Sequence, residues 1–334
     1  MPRVSIIVPV CITEAGFGDT LRSLLAQSYS DFEIIIVNDG EGDQVDAVAE
    51  VFLDPRLRIL RQEKRGMAGA RNTGISKARG RYIGFCEPGD LWQPWKLADH
   101  VVHLDATPDL GVSFSASAPL RGCDALCDPL RECGAQVARP LPSGPIGAAD
   151  VMQHDFIGRS TPVLRREVLR DMAFRRAQED ARDWYFDERL RHAEDTEFWL
   201  RLLLETRWKI AAVEGVSARH RVKSPRQAAG IDVQYAYWMR VMRRLTPQAP
   251  EFFHENLPAA HAYKLRRLAR QAVRCGIAED ALPLAVESVK TSRRPLLEDP
   301  LGTLGTLAAA WVLRAGGGEL LMRLFARRHG VSRS

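Results

Sequence analysis

Residues 4–40 read VSIIVPVCITEAGFGDTLRSLLAQSYSDFEIIIVNDG, and this stretch decides the fold class. Residues 4–10 are a short apolar, β-branched run with the look of a buried strand, and residues 21–29 space their apolar side chains as a helix does. A second apolar run at 32–37 closes on Asn38-Asp39-Gly40. Strand, helix, strand is the repeating unit of a parallel sheet.

Working outward, the pattern predicts a helix at 43–52, a strand at 57–60, a loop at 63–69, a helix at 70–78 and a further strand at 82–85. In alternating α/β folds ligands sit beyond the carboxyl ends of the strands. The polar residues that follow each strand are therefore the ones to weigh: Thr13 and Glu14, then Asp39, then Glu87 and Asp90. Residues 116–148 are rich in Pro, Gly and Cys and read as a loop over the sheet. Helical patterns return over 165–204, and 208–213 adds a strand, followed by the basic run Arg219, His220, Arg221 and Lys223. From 225 onward the chain reads as helical, with Tyr235, Trp238, Met239 and Met242 on one face and Arg240, Arg243 and Arg244 nearby.

With 334 residues, 46% of them hydrophobic, the chain has enough apolar surface for a catalytic domain and an appendage. The net charge of +5 comes mostly from the last seventy residues, among them Arg266, Arg267, Arg270, Arg323, Arg327 and Arg328. That bias points to anionic partners. No helix-turn-helix, zinc finger or RNA-recognition signature is present, so nucleic acid gives way to an anionic lipid surface or a phosphate-bearing acceptor. The amino terminus lacks the pattern of a secretory signal, and the apolar stretch at 301–313 is too short to span a bilayer, so a cytoplasmic location is expected. Leu320, Leu321, Leu324 and Phe325 beside Arg323, Arg327 and Arg328 fit a peripheral membrane contact, a homodimer seam or core packing equally. Cys123, Cys127 and Cys133 cluster without the spacing of a zinc site and read as ordinary reduced thiols.

The candidate site residues have plain readings too. Asp39 suits hydrogen bonding to an N–H or a sugar hydroxyl, but it also sits in a common turn composition. Arg71 and Asn72 open a helix after a Gly-containing loop, where a cation and free backbone N–H groups can meet a phosphate, or where an Arg is simply solvated. Glu194 and Asp195 at a helix start favour the helix dipole. A dinucleotide-binding fold would need G-x-G-x-x-G directly after the first strand, and Cys11-Ile12-Thr13-Glu14 stands there instead.

Taken together and in order, VSIIVPV, FEIIIVNDG, RGMAGARNTGI, GRYIGFCEPGDLWQPWKL and HAEDTEFWLRLL resemble the family 2 glycosyltransferases over residues 4 to about 224. The resemblance implies a GT-A nucleotide-diphospho-sugar transferase fold, a mostly parallel central sheet flanked by helices, over 1–224. A helical extension would occupy 225–334. It implies inverting transfer, usually from a UDP-sugar and with a divalent cation, Mg or Mn, onto a hydroxyl of a glycan or lipid-linked acceptor in surface polysaccharide synthesis. Residue by residue it assigns Pro9, Val10, Glu14, Asp39, Arg71, Asn72 and Glu87 to the donor, Asp195 to the general base, and Glu194 and Trp92 to the acceptor or to support of the base. Glu87-Pro88-Gly89-Asp90 stands at the acidic D-x-D element, with Gly89 where the second acid is expected. Three readings follow: Glu87 and Asp90 hold the metal; Arg71 steadies phosphate with little metal; or the chain is a non-catalytic sugar-nucleotide-binding or scaffold relative. A nucleotidyltransferase is a further rival from another class.

Overall fold

The structure is a computed structural model and describes residues 1–11, 16–120, 141–154, 156–176, 180–221, 230–319 and 321. Glu14 with Thr13, the Cys123/Cys127/Cys133 cluster, Lys223, and Leu320, Arg323, Leu324, Phe325, Arg327 and Arg328 lie outside the described residues. Two compact units form: residues 1–151 with 155–223, and residues 152–154 with 224–334.

In the first unit the elements run β1 (Val4–Val10), α1 (Phe17–Leu25), β2 (Phe32–Asn38), α2 (Gln44–Glu50), β3 (Leu57–Arg61), α3 (Gly66–Lys77), β4 (Tyr82–Phe85), β5 (Leu91–Trp92), α4 (Lys96–Ala106) and β6 (Leu110–Leu120). Then come β7 (Pro145–Ile146), α5 (Ala148–Gln153), β8 (Val163–Arg165), α6 (Arg166–Met172), β9 (Phe174–Arg176), β10 (Asp180–Trp184), α7 (Glu194–Glu205) and β11 (Lys209–Arg221). One sheet takes the order β3-β2-β1-β4-β8-β6-β11-β5, with β7 joined to β11, and β9 and β10 make a separate pair. The first four strands are parallel, as the apolar runs predict, with Val4 opposite Phe32 and Val10 opposite Asn38. Side chains alternate between two cores: Ile6, Val8 and Val10 face Leu21 and Leu24 of α1, while Ile7 faces Ile75 of α3, Ile83 and Phe85. Both faces are covered, which is why these strands are apolar throughout and not alternating.

β8 breaks the parallel pattern. It lies between β4 and β6 and is antiparallel to both. β5 likewise runs antiparallel to β11, which is parallel to β6. The ligand end of the sheet therefore receives the segments that follow β1, β2, β4, β6 and β11, and also those that precede β5 and β8.

Several sequence expectations need correcting. The span 165–204 is not continuously helical, because β9 and β10 separate α6 from α7. Their segments are too short for alternation to register. Most of the predicted 63–69 loop belongs to α3, which starts at Gly66, and residues 116–120 extend β6. Arg219, His220 and Arg221 lie inside the 13-residue β11 and do not follow it.

The second unit is helical: α8 (Ile231–Leu245), a short 3-10 turn, α9 (Pro250–Cys275), α10 (Ala278–Thr291), α11 (Arg294–Glu298) and α12 (Pro300–Arg314). Ala269, Ala272, Ala281, Ala285 and Ala310 form much of its core, small side chains that let helices approach closely. Asp299 caps α12 by accepting from the Gly302 N–H at 3.0 Å, and it also pairs with Arg266, whose guanidinium donates to Thr303 Oγ1 at 2.6 Å. Among the described residues no helix is long and apolar enough to cross a membrane.

Candidate active site

The turn after β4, the start of α3, the start of α7 and the loop before β8 meet at the ligand end of the sheet. Arg71, on α3, is 1% exposed, its guanidinium held between the rings of Phe85 and Phe186, 5.7 and 5.2 Å from their centroids. Arg71 Nη1 lies 2.5 Å from Asp195 Oδ1 and 4.0 Å from Glu194 Oε1, and its Nη2 lies 3.8 Å from Glu87 Oε1. Arg159, from the loop before β8, completes the arrangement: its Nη1 is 3.3 Å from Glu87 Oε1 and its Nε 3.3 Å from Asp195 Oδ2. Two arginines thus alternate with Glu87 and Asp195, with Glu194 behind them.

Glu194 and Asp195 begin α7, where acids favour the helix dipole, and the helix is anchored by Phe198 stacking on Phe186 at 4.4 Å and by the buried Glu197–Arg201 pair. The Glu194 carboxyl is pushed up by burial and then by the neighbouring Asp195, with Arg71 opposing. It holds its proton more tightly than an ordinary carboxylic acid.

Asp90 and Glu87 have different surroundings. The Ser160 hydroxyl accepts from the Glu87 N–H at 2.9 Å and donates to Asp90 Oδ2 at 2.6 Å, while Asp90 Oδ1 accepts from the Arg221 N–H at 3.0 Å. Asp90 ties the β4 turn to the end of β11 and to the loop before β8. Gly89 between them has φ +89°, a left-handed conformation that disfavours any side chain. A divalent ion on a GT-A sheet would need a carboxylate edge turned outward. Here one acid is engaged on both oxygens and the other faces two guanidiniums, and among the described residues no three His, Cys, Asp or Glu side chains converge on a common point. The described residues do not fit a divalent-cation site.

Other predicted residues occupy other places. Pro9 and Val10 end β1, and Val10 accepts from the Asp39 N–H at 2.9 Å. Asp39 is fully buried and accepts from Gln62 Nε2 at 2.6 Å, the Arg65 N–H at 2.8 Å and the Gly66 N–H at 2.8 Å, joining the end of β2 to the start of α3. Asn72 is held by the protein itself. Its Nδ2 donates to the Phe186 carbonyl and to Glu188 Oε1, both at 2.9 Å, and its Oδ1 accepts from the Tyr185 and Phe186 N–H groups at 3.2 and 3.0 Å. Both donors and both lone pairs are engaged, so Asn72 fixes the 185–188 segment and has no group left for a donor. Glu188 is held in turn by Arg65 and Arg182.

Trp92, which the sequence reads as a core residue or a sugar-stacking one alike, lies in the core. It is 1% exposed, packed in the core against the position of Gly84, where an added Cβ would approach the ring to 2.9 Å, so it does not face an acceptor. Beneath it lies Lys96, fully buried, with Nζ 4.9 Å from the Trp92 ring centroid, 2.6 Å from the Thr161 carbonyl and 2.9 Å from His100 Nε2. Lys96 holds the tight turn 158–161 that carries Arg159 and Ser160.

Burial brings the Lys96 ammonium down to about 7, and burial also pushes His100 well below its usual range. Because the folded value lies below the ordinary 10.5, the unfolded chain binds more protons between about 7 and 10.5. The contribution of this group to stability therefore rises with pH across that window and is lost as pH falls to about 7. In Lys96→Met that slope is absent. The melting temperature of the wild type relative to the variant is expected to rise by roughly 2–4 °C per pH unit through the window, which thermal melts at pH 7 to 9.5 would measure.

Arg159, Ser160, Lys96 and Glu188 carry no sequence signal of their own, since each is one polar residue among many until the fold gathers it to this end of the sheet.

The profile of the family described as Glycosyl transferase family 2 matches residues 5–119. An uncharacterized glycosyltransferase, EpsJ, of Bacillus subtilis is 47% identical over 92 residues, 27% of this chain and 27% of that protein. WfgD of Escherichia coli, a UDP-Glc:alpha-D-GlcNAc-diphosphoundecaprenol beta-1,3-glucosyltransferase, is 36% identical over 95 residues, 28% of this chain and 38% of the relative. These matches thus span between about a quarter and two fifths of the relatives' lengths. Among solved structures, S. aureus TarS 1–349 superposes with a TM-score of 0.59 at 16% identity, over 99% of this chain and 93% of that one. The mannosyltransferase PcManGT from Pyrobaculum calidifontis, solved with GDP-Man and Mn2+, gives 0.56 at 19% identity over 95% and 87%. At those identities the likeness is one of fold.

Proposed function

We propose that this chain, whose first domain belongs to glycosyl transferase family 2 and has the GT-A fold, transfers a sugar with inversion from a UDP-sugar to a hydroxyl of a glycan or lipid-linked acceptor. The observation that carries the reading is the convergence of Asp195, Glu87, Arg71 and Arg159 at the ligand end of the sheet. A UDP-sugar donor is supported by WfgD, which uses UDP-Glc, and by TarS, crystallised with UDP-GlcNAc. A lipid-diphosphate acceptor is supported by the WfgD name alone.

The chemistry follows from the arrangement. A sugar hydroxyl is a weak nucleophile at neutral pH and needs a base in hydrogen-bonding reach. Asp195 accepts the hydroxyl proton as the acceptor oxygen bonds to the anomeric carbon. The bond from that carbon to the diphosphate oxygen breaks on the opposite face, and the electron pair leaves with UDP. Glu194, beside it at the start of α7, shapes the pocket around Asp195. Pro9, Val10 and Asp39 form the nucleoside end.

The test is turnover. Purified protein incubated with a panel of UDP-sugars and a polyprenyl-diphosphate-linked sugar should release UDP and elongate the acceptor. Nucleotide binding without turnover of any donor would replace this reading with that of a non-catalytic sugar-nucleotide-binding protein, the alternative that Gly89 keeps open. Pyrophosphate release from a nucleoside triphosphate would point to a nucleotidyltransferase.

A further inference from the structure

The negative charge that builds on a departing diphosphate needs a cation beside it. The turn that would hold a divalent ion offers Asp90 already bonded to Ser160 Oγ and the Arg221 N–H, a glycine at 89, and Glu87 faced by Arg159 at 3.3 Å and Arg71 at 3.8 Å. A metal ion placed against Glu87 would stand beside two guanidinium charges and be repelled by both. The positive charge in this site is therefore already built into the chain.

We propose that Arg159 binds the donor diphosphate directly, with Arg71 a fixed positive charge behind it, so that donor binding requires no divalent cation. This rests on the UDP-sugar reading above. The two arginines differ in how they are held. Arg71 is 1% exposed and fixed between Phe85 and Phe186, with its Nε buried and unbonded among the described residues, so it is a stationary charge. The Arg159 side chain is 44% exposed and can exchange its carboxylate partners for phosphate oxygens by a change of rotamer. A guanidinium presents paired N–H donors that match phosphate oxygens, which an ammonium cannot reproduce.

The exchange has a consequence for the base. In the donor-free arrangement Arg159 Nε lies 3.3 Å from Asp195 Oδ2, and Arg71 lies against Oδ1. When the diphosphate draws Arg159 away, Oδ2 becomes available to accept the acceptor hydroxyl. Arg159 thereby makes the base competent only after the donor has bound, which guards a UDP-sugar poorly if the arginine is lost.

Calorimetric titration of the full chain with UDP and with uridine, each in EDTA and in Mn, tests the proposal on wild type, Arg159→Ala and Arg159→Lys. Direct titration of the protein with Mn alone is the second readout. The expected result is UDP affinity in EDTA within about threefold of that in Mn, and a loss of about tenfold or more for UDP but not uridine in Arg159→Ala, equivalent to about 1.4 kcal/mol. Arg159→Lys should recover only part of the loss, which also shows that the site has kept its fold. Wild-type UDP affinity that falls tenfold or more in EDTA, or Arg159→Ala binding UDP as tightly as wild type, would overturn the arginine assignment while leaving the transferase reading standing. No binding of UDP or uridine under either condition overturns both.

Discussion

Asp195→Asn is expected to lower the rate of sugar transfer by about 10²- to 10⁴-fold while UDP affinity changes by less than about threefold. The amide has nearly the volume of the carboxylate and can still accept from Arg71, but it cannot take a proton from the acceptor. The loss should therefore fall on kcat. Glu194→Gln makes the informative contrast. Glu194 lies behind Asp195, 4.0 Å from Arg71, and the amide keeps its shape, so transfer within about tenfold of wild type is expected. In Asp195→Asn the 2.5 Å partner of Arg71 loses its charge but Glu87 and Glu194 keep theirs in place, so a thermal melt beside the kinetics separates loss of the base from loss of the fold. Near-normal transfer by a folded Asp195→Asn would place the base elsewhere.

The second large effect is on stability. Trp92→Ala should cost about 3–5 kcal/mol, as expected when a fully buried tryptophan leaves a cavity. For a unit of this size that is roughly 6–20 °C in melting temperature. The ring fills the space left by Gly84 and lies over Lys96, and the Trp92 backbone N–H donates to Ser23 Oγ at 3.2 Å. Trp92→Phe should retain more than half of that stability. If Trp92 instead stacked on a sugar, the alanine variant would keep its melting temperature and raise KM for donor or acceptor, and that pattern would return it to the site.

Much of the sheet was legible because β1, β2 and β4 are buried on both faces and so appear as unbroken apolar runs. The carboxyl-end rule located Asp39, Glu87 and Asp90 by looking after strands. It passed over Arg159 and Ser160, because β8 is antiparallel to its neighbours and brings its preceding loop to the same end of the sheet. β8 has three residues, too few for any periodicity to declare it or its direction. The protein partners of Asn72 were hidden for a related reason. Its partners at 185–188 lie more than a hundred positions away, and nothing in RGMAGARNTGI indicates whether an amide serves a ligand or the backbone. Trp92 sits in a polar-looking segment, and only the pairing of β5 with β11 turns it inward.

The place of β8 also governs the order in which this molecule can be made. The pairs β1–β2 and β1–β4 close within the first 85 residues, but β4 gains its other neighbour only when residues 163–165 emerge from the ribosome. Arg71–Asp195 and Asp90–Arg221 span 124 and 131 positions, so Asp195 and its arginines assemble last, through long loops that slow folding. Until then Tyr82–Phe85 presents unpaired backbone N–H and carbonyl groups on an apolar strand, a template for pairing with another nascent chain. A piece ending at residue 119, the limit of the family match, would keep the best-matched sequence together with that open edge, and would contain neither Arg159 nor Asp195.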